Sequence, residues 1–325
     1  MTLSIVIVNY NTEKLLKSCL ESVYAGSNGT PLDIWVVDNH SRDNSVATVK
    51  SLFPRIHVIE NPSNVGFSRA NNLVVAQSRS EYILLLNPDT VIIGDAIERV
   101  VKFMREHPQV GIAGCKVLNR DGTLQLACRR SIPTPKVAFY RLTGLSRLFP
   151  NSPTMARYNM TYESPDRTHE VDAVSGAFLM IRRQVIEQIG LLDERFFMYG
   201  EELDWCFRAK RAGWSVVYFP EARIVHYKGE STKYNTRKAI YEFYRAMYLF
   251  HKKHFAAQYS PLTNSLIYAG IFFKALCSWR KFIFPAPARP NGPLPPTDTL
   301  PADSFAAPAD LTVGGRRSRA ASSSS

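Results

Sequence analysis

The run Ile83-Leu84-Leu85-Leu86, followed at once by Asn87-Pro88-Asp89-Thr90, constrains the fold more than any other stretch of the chain. Four consecutive apolar residues without alternation read as a strand covered on both faces, the pattern of the middle of a parallel sheet. Pro88 has no N–H to give to a ladder, so the strand ends there. Its end carries Asn87 and Asp89 to the carboxyl edge, where open α/β sheets hold their ligands. An oxygen-rich pair on a rigid strand end suits a hard divalent cation and the diphosphate it carries. Taken alone, the same residues also fit a plain Asn-Pro-Asp turn capping the next helix.

Around this stretch the chain alternates strand with helix. Residues 3–8 are β-branched and apolar, a buried first strand broken by Asn9-Tyr10-Asn11-Thr12. Thr12 is placed to cap a helix that carries Leu15, Leu16, Cys19, Leu20 and Val23 at helical spacing. Further strands are expected at residues 33–37, 56–59, 81–86 and 110–117. Helices are expected from Ser41-Arg-Asp43-Asn-Ser45, from Asn64-Val-Gly66-Phe67 to about residue 77, and over residues 94–106. This rhythm predicts an α/β fold with a mostly parallel central sheet, right-handed crossovers and flanking helices. The first strand-to-helix turn lacks G-x-G-x-x-G and no P-loop pattern is present, so a dinucleotide-binding reading finds little support.

Residues 119–170 break the rhythm with Pro, Ser, Thr and Arg, and predict a hairpin followed by a long, partly mobile excursion. Order returns with an apolar strand ending at Ile181 and a helix over residues 183–189. The helix from Glu201 to Ala212 has an acidic first turn, favourable against its dipole, and Gly213 ends it. Short strands at residues 215–219 and 223–227 precede an aromatic helix at 239–255. A second apolar helix at 262–284 is interrupted by Lys274, Arg280 and Lys281, which suits an interfacial helix better than a membrane span. Residues 285–325 are dominated by Pro, Ala, Ser and Arg and read as a disordered tail. The expected organisation is thus a catalytic domain at 1–235, helices at 236–284 and the tail.

Charge and cysteine content narrow the partners. The net charge of +12 is concentrated from Lys228 onward, where fourteen Lys and Arg face five Asp and Glu. No nucleic-acid-reading motif accompanies them, whereas basic residues beside apolar helices suit an anionic membrane surface. Cys19, Cys115, Cys128, Cys206 and Cys277 have neither metal-ligand nor disulfide spacing, which fits a reducing compartment. No signal peptide is expected, because the first apolar run is short and lacks a basic flank.

Several side chains suit one chemistry. Asp38, at a strand end, can accept from the N3–H of a pyrimidine base, with Tyr10 placed to stack on it. Asn64, Gly66 and Arg69 open a helix, where backbone donors and a guanidinium suit a diphosphate. Asp89 can hold a cation, Glu201-Glu202-Leu-Asp204 offers carboxylates at a helix start, and His226 lies on a strand end.

The ordered series Ser4-Ile-Val-Ile-Val-Asn-Tyr-Asn11, Val36-Val-Asp-Asn39, Asn64-Val-Gly-Phe67 with Ala70-Asn-Asn72, Leu86-Asn-Pro-Asp-Thr90, Ser175-Gly-Ala-Phe178, Gly200-Glu-Glu-Leu-Asp-Trp-Cys-Phe-Arg208 and His226-Tyr-Lys-Gly229 resembles the motifs of family 2 glycosyltransferases. Within that family it is most similar to the bacterial rhamnosyltransferase-like enzymes of cell-surface polysaccharide assembly. The resemblance spans roughly residues 3–255. It implies a GT-A fold and inverting transfer from a dTDP- or UDP-sugar to a glycan or lipid-linked acceptor, with Mg2+ or Mn2+. It also implies a cytoplasmic location, peripheral at the inner face of the plasma membrane.

Carried over by motif position, Val8, Tyr10, Asp38, Asn64, Gly66, Arg69, Asn87 and Lys228 would bind the donor. Asp89 and His226 would hold the metal. Glu202 would be the general base, with Glu201 and Asp204 beside it, and Ser175, Gly176, Ala177 and Trp205 would face the acceptor. Two positions depart from the family pattern. Asn87 stands where the first carboxylate of Asp-x-Asp is usual, and Glu202 where the base is usually Asp. The added methylene displaces a carboxylate by over about 1 Å, which catalytic positioning notices unless the backbone compensates.

Plainer readings stand beside these. Asp38 fits a turn cap, Arg69 a solvated helix residue, and Asp204 with Arg208 a surface (i, i+4) pair. His226 fits a satisfied strand-end histidine, and Trp205 fits core. The competing functions are a sugar nucleotidyltransferase, which wants a basic Gly-rich loop that Asn9-Tyr-Asn-Thr12 does not offer, and a degenerate scaffold that binds nucleotide or glycan.

Overall fold

In chain order, β1 (Leu3–Asn9) leads through α1 (Glu13–Ala25) to β2 (Asp33–Asp38), and α2 (Ser45–Leu52) leads to β3 (His57–Glu60). Next, α3 (Phe67–Val75) precedes β4 (Tyr82–Leu86) and β5 (Thr90–Ile93), and α4 (Ala96–Glu106) precedes β6 (Val110–Leu118). These elements and those that follow belong to a computed structural model that describes residues 3–27, 32–227 and 236–283, within one compact unit, Met1–Asn291. Beyond β6 come β7 (Arg129–Arg130), α5 (Pro135–Thr143), α6 (Leu145–Leu148), β8 (His169–Glu170) and β9 (Ala173–Val174). The chain continues with β10 (Phe178–Arg182), α7 (Arg183–Ile189), α8 (Glu201–Arg211) and β11 (Ser215–His226). The last described helices are α9 (Thr236–His254) and α10 (Pro261–Ile283).

The main sheet has the order β3-β2-β1-β4-β10-β6-β11-β5, with β8 against β11. Strands β1 to β4, β6 and β11 run one way, and β5, β8 and β10 run the other, so the sheet is mixed but mostly parallel. Every residue of β1, β4 and β10 is buried, as uninterrupted apolar runs require when helices cover both faces. Helix α1 buries Leu16, Cys19, Leu20 and Val23, the stripe its spacing predicts.

Four local expectations change. Thr12 does not cap α1: its hydroxyl donates to Asn9 Oδ1 at 2.6 Å, and Asp43 Oδ2 accepts from the Glu13 N–H at 2.9 Å instead. Strand β5 was hidden in what reads as a turn, because only its pairing with the end of β11 makes it a strand. The two strands expected at residues 215–227 are one, with a register shift between Phe219 and Arg223 around Pro220, which has no N–H for the ladder. Strand β10 enters antiparallel between β4 and β6, which the strand–helix rhythm alone does not signal.

The 119–170 excursion begins with the expected tight hairpin, Leu118 bridging Leu124. It then carries α5 and α6 and is tied back to the domain. Arg129 donates to the carbonyls of Ser164 and Glu163 at 2.6 and 2.7 Å, and the Tyr218 hydroxyl donates to Pro165 O at 2.8 Å.

Helix α9 is ion-paired to α8 by Lys253, 2.7 Å from Asp204. Helix α10 joins α9 through Tyr244 and Ser278 at 2.6 Å and through His251 and Asn264 at 2.8 Å. No described helix is long and apolar enough to cross a membrane. Lys228 and the tail at 285–325 lie outside the described residues.

Candidate active site

The first edge of the site is built by β1 and β2, which place Asn9 opposite Asp38. Asp38 Oδ1 accepts from Asn9 Nδ2 at 2.9 Å and from the Ser41 hydroxyl at 2.6 Å, and Oδ2 accepts from the Ser41 N–H at 2.8 Å. The buried carboxylate is therefore fixed in position with one lone pair left on Oδ2. Tyr10 is half-buried beside this edge. Val8 belongs to the hydrophobic core, so its side chain is occupied by packing.

Asn39 carries the edge onward by donating from Nδ2 to Gly66 O at 3.1 Å. Gly66 has φ +88°, and a Cβ there would fall 2.6 Å from Phe197 O, so only glycine lets this loop approach so closely. Asn64 Oδ1 accepts from the Gly66 N–H at 3.0 Å and shapes the turn. Arg69 projects from α3 into solvent, its Nε 4.0 Å from Glu194.

At the centre, β5 pairs with β11 so that Thr90 lies opposite His226, which brings Asp89 beside the imidazole. His226 Nε2 lies 3.1 Å from Asp89 Oδ1 and 3.4 Å from Asn87 Nδ2. Gln125 fixes the other side of the ring. Its Nε2 donates to His226 O at 2.7 Å, so its Oε1, 3.0 Å from His226 Nδ1, must be the acceptor there. The Nδ1 proton is thereby committed to Gln125, and Nε2 faces a carboxylate oxygen. Two acceptors at this distance need a proton or a cation between them. A ligating histidine commonly has its second ring N–H held in this way.

The described residues contain no cluster of three acidic, His or Cys side chains that could hold a metal. The set present is one carboxylate, one imidazole and one amide, which fits a cation that takes its remaining ligands from a bound diphosphate.

Glu202 lies in the first turn of α8. Its Oε1 accepts from Arg130 Nη2 at 2.8 Å and its Oε2 from the Gly200 N–H at 3.1 Å. Burial works against the Arg130 charge, yet the Glu202 carboxylate beside it holds the guanidinium above its ordinary value. The loop at Ser175, Gly176 and Ala177 runs between Asn87 and Glu202. Ala177 O accepts from the Asn87 N–H at 3.1 Å, and a Cβ on Gly176 would lie 3.7 Å from Glu202 Cβ and Cγ. Ser175 Oγ accepts from the Ala177 N–H at 3.2 Å and holds the loop in shape.

Burial, and then the neighbouring Glu202 charge, push the Glu201 carboxyl well above the usual range. One of its oxygens is buried without a partner.

Two expected site residues turn inward. Asp204 is fully buried, with Oδ2 accepting from Arg208 Nε at 2.8 Å and Oδ1 lying 2.7 Å from both Lys253 Nζ and His254 Nε2. Its place is the seam between α8 and α9, because it sits more than half a helical turn beyond Glu202. Trp205 is likewise fully buried, donating from Nε1 to Gly190 O at 2.9 Å, and has no face for a sugar.

Gln125 and Arg130 were not anticipated. Both come from the stretch with weak periodicity, and only tertiary pairing brings them to His226 and Glu202. The uncommon pair Arg129-Arg130, followed within a few residues by apolar Ile132, was the one available signal for the second.

A mostly parallel sheet with a carboxylate at the second strand end and a carboxylate–imidazole pair at the fourth is consistent with a nucleotide-sugar transferase fold. The model of the family described as glycosyl transferase family 2 matches residues 4–190, and the chain belongs to that family. It is a glycosyltransferase of the hexosyltransferase class.

An N-acetylglucosaminyl-diphospho-decaprenol L-rhamnosyltransferase of Mycobacterium tuberculosis is 25% identical over 259 residues, covering 76% of this chain and 83% of that one. A hexosyltransferase of low-salt glycan biosynthesis from Haloferax volcanii is 29% identical over 296 residues, 88% of each. Among solved structures, a mannosyltransferase from Pyrobaculum calidifontis in complex with GDP-Man and Mn2+ superposes with a TM-score of 0.54 at 14% identity. It covers 88% of this chain and 76% of that one, and bears on the fold alone.

Proposed function

We propose that the chain catalyses inverting transfer of a sugar, with dTDP-rhamnose as the first donor to test, to a hydroxyl of a lipid-linked acceptor in cell-surface glycan synthesis. The observation that carries this is the loop at residues 175–177, which is hydrogen-bonded to Asn87 through Ala177 O and passes close to Glu202 at Gly176. That arrangement suits a donor lying between a phosphate-side edge and a facing base.

In this reading Asp38 receives the base of the nucleotide, and the Gly66 loop with Asn64 lines its diphosphate. Asp89 and His226, with Asn87 beside them, would hold Mg2+ or Mn2+. Bound there, the cation would offset the negative charge that gathers on the departing diphosphate. Glu202 takes the proton of the acceptor hydroxyl as its oxygen bonds to the anomeric carbon. The anomeric C–O bond to the diphosphate breaks on the opposite face, and its electron pair leaves with the nucleoside diphosphate. The transition state is oxocarbenium-like, and a single displacement inverts the centre. Arg130 and the Gly200 N–H orient the Glu202 carboxylate without touching the sugar.

The relatives' names support a prenyl-diphosphate-linked acceptor, and the apolar outer face of α10 supports a peripheral position at the inner face of a membrane. The test is release of nucleoside diphosphate from a panel of dTDP- and UDP-sugars, with Mn2+ and with EDTA. Metal-dependent release from one donor supports the reading. Donor binding by calorimetry without turnover on any acceptor would favour a binding scaffold instead.

A further inference from the structure

The stretch from Arg129 to Tyr158 contains six Lys or Arg and no Asp or Glu. Part of it encloses a cavity of about 420 Å³ lined by Ile132, Thr134, Lys136, Thr154, Arg157 and Asp172, with two further apolar residues. The single carboxylate in this lining is already engaged. Asp172 Oδ1 accepts from Lys210 Nζ at 2.7 Å, and Oδ2 accepts from the Ile132 N–H at 3.1 Å. Lys136 and Arg157 thus stand at the cavity as cations with no carboxylate partner among the described residues. Two cations and two hydroxyls around such a volume form an anion site, and a guanidinium beside an ammonium suits phosphate oxygens.

The cavity is coupled to the base of the proposed reaction by the short ribbon in which β7 pairs with β9. Arg130, on that ribbon, donates to Glu202, and Ile132 lies two residues further along. In the same segment Phe139, Leu148 and Phe149, on and just after the two short helices, are 57%, 73% and 50% exposed. Exposed apolar side chains of this size beside an anion site suit a chain that is charged at one end and greasy at the other.

Resting on the transferase reading above, we propose that this cavity binds the diphosphate of a prenyl-linked acceptor and holds its first sugar against Glu202. The structure thereby separates two phosphate sites: the donor's at Asp89 and His226, and the acceptor's at Lys136 and Arg157. The second needs no metal, because its charge comes from side chains.

The test measures binding of geranyl diphosphate to the full chain by calorimetry in EDTA. It uses the wild type, the donor-side variant Asp89→Asn and the double variant Lys136→Glu with Arg157→Glu. Both altered side chains of the double variant are exposed, and its unfolding temperature, measured in parallel, is expected to match the wild type. Geranyl diphosphate should bind the wild type and Asp89→Asn equally and the double variant at least tenfold more weakly, while geraniol should not bind. Unaltered binding by the double variant, geraniol binding as tightly as the diphosphate, or no binding by the wild type would overturn the assignment. Inorganic pyrophosphate binding as tightly as geranyl diphosphate would overturn the lipid-linked source. A parallel titration of dTDP and UDP with Mn2+ reads the donor site by itself. Its failure in wild-type protein would overturn the transferase reading, and with it the acceptor assignment, whatever the geranyl result.

Discussion

Arg130 Nη2 lies 2.8 Å from Glu202 Oε1, and the two side chains are only 9% and 12% exposed. The guanidinium also donates to Val174 O at 2.7 Å, which anchors it to β9 while it holds the carboxylate. Glu202 is one methylene longer than the aspartate usual at this position in the family. The fork of Arg130 and the Gly200 N–H accounts for how the longer side chain can still be fixed: each oxygen is gripped by a different donor.

Replacing Glu202 by Gln keeps the shape and the acceptor oxygen for Arg130 but removes the basic lone pair. Turnover should fall by about 10²–10⁴-fold with donor affinity unchanged, as for loss of a general base. The readouts are nucleoside diphosphate release and calorimetric donor binding. Unchanged turnover would remove Glu202 from its role.

Arg130→Met should cost more in stability than an ordinary surface change, because it strands a buried carboxylate. About 3–5 kcal/mol is expected for breaking one side of such a pair. Chemical denaturation measures it, and a cost near zero would mean that Glu202 is solvated well enough to need no partner.

The hydrogen bond from His226 to Gln125 makes its own prediction. Gln125→Leu frees the Nδ1 proton and lets the ring turn, so Mn2+ affinity should fall by about 10–100-fold, the range for loss of a second ring-nitrogen partner. Mn2+ titration of donor turnover reads this out. Gln125→Glu, which keeps an acceptor toward Nδ1, should retain more affinity than Gln125→Leu. Equal behaviour of the two would sink the orienting role.

These residues also mark where the sequence was legible. Strands β1, β2, β4 and β6 and helices α1, α3, α4, α7 and α8 could be placed from periodicity, because each is a continuous apolar run or stripe against a single core. The candidate positions Asp38, Asp89, Glu202 and His226 could be singled out because strand ends and helix starts are marked by local turn residues. Strand β5, Gln125 and Arg130 could not, since each is defined by a partner distant in the chain. Asp204 and Trp205 misled for a related reason. They follow Glu202 in an acidic, aromatic segment, but the helix turns them toward α9 and the core, and no local signal says which face of a helix start is the wet one.

Asp204 predicts an acid-sensitive seam. Burial alone would raise its carboxyl, but the hydrogen bond from His254 and the charges of Arg208 and Lys253 prevail and hold it below its ordinary value. A depressed folded-state pKa contributes stability above the unfolded value of about 3.9, and that contribution is lost as pH falls through the folded value. Asp204→Asn should therefore lower the unfolding temperature at pH 7, and the gap to wild type should narrow below about pH 4. Asp193, held low first by Arg195 and then by Lys253, leaves some acid sensitivity in the variant. A gap that stays constant with pH would show that Asp204 contributes by shape alone.

The outer face of α10 carries the last prediction. Leu262, Leu266, Phe273 and Leu276 fall on one helical stripe and are 72%, 66%, 64% and 52% exposed, with Phe272 and Trp279 beside them. The helix contains no Asp or Glu, while Lys274, Arg280 and Lys281 supply positive charge. Burying four such side chains in a headgroup region is worth at most about 1.5–3 kcal/mol each, and anionic lipid adds about 1 kcal/mol per nearby cation. Full-length protein should therefore sediment with vesicles containing phosphatidylserine at low salt and be partly released as salt rises. Leu266→Glu with Phe273→Glu should cut binding at least tenfold, since both lie on the solvent side of α10, away from its hydrogen bonds to α9. Truncation before Pro261 should do the same and give a more soluble protein. Vesicle binding that survives both changes would move the contact elsewhere on the chain. Protein that ignores anionic vesicles at low salt would end the membrane reading while leaving the chemistry at Glu202 and Asp89 untouched.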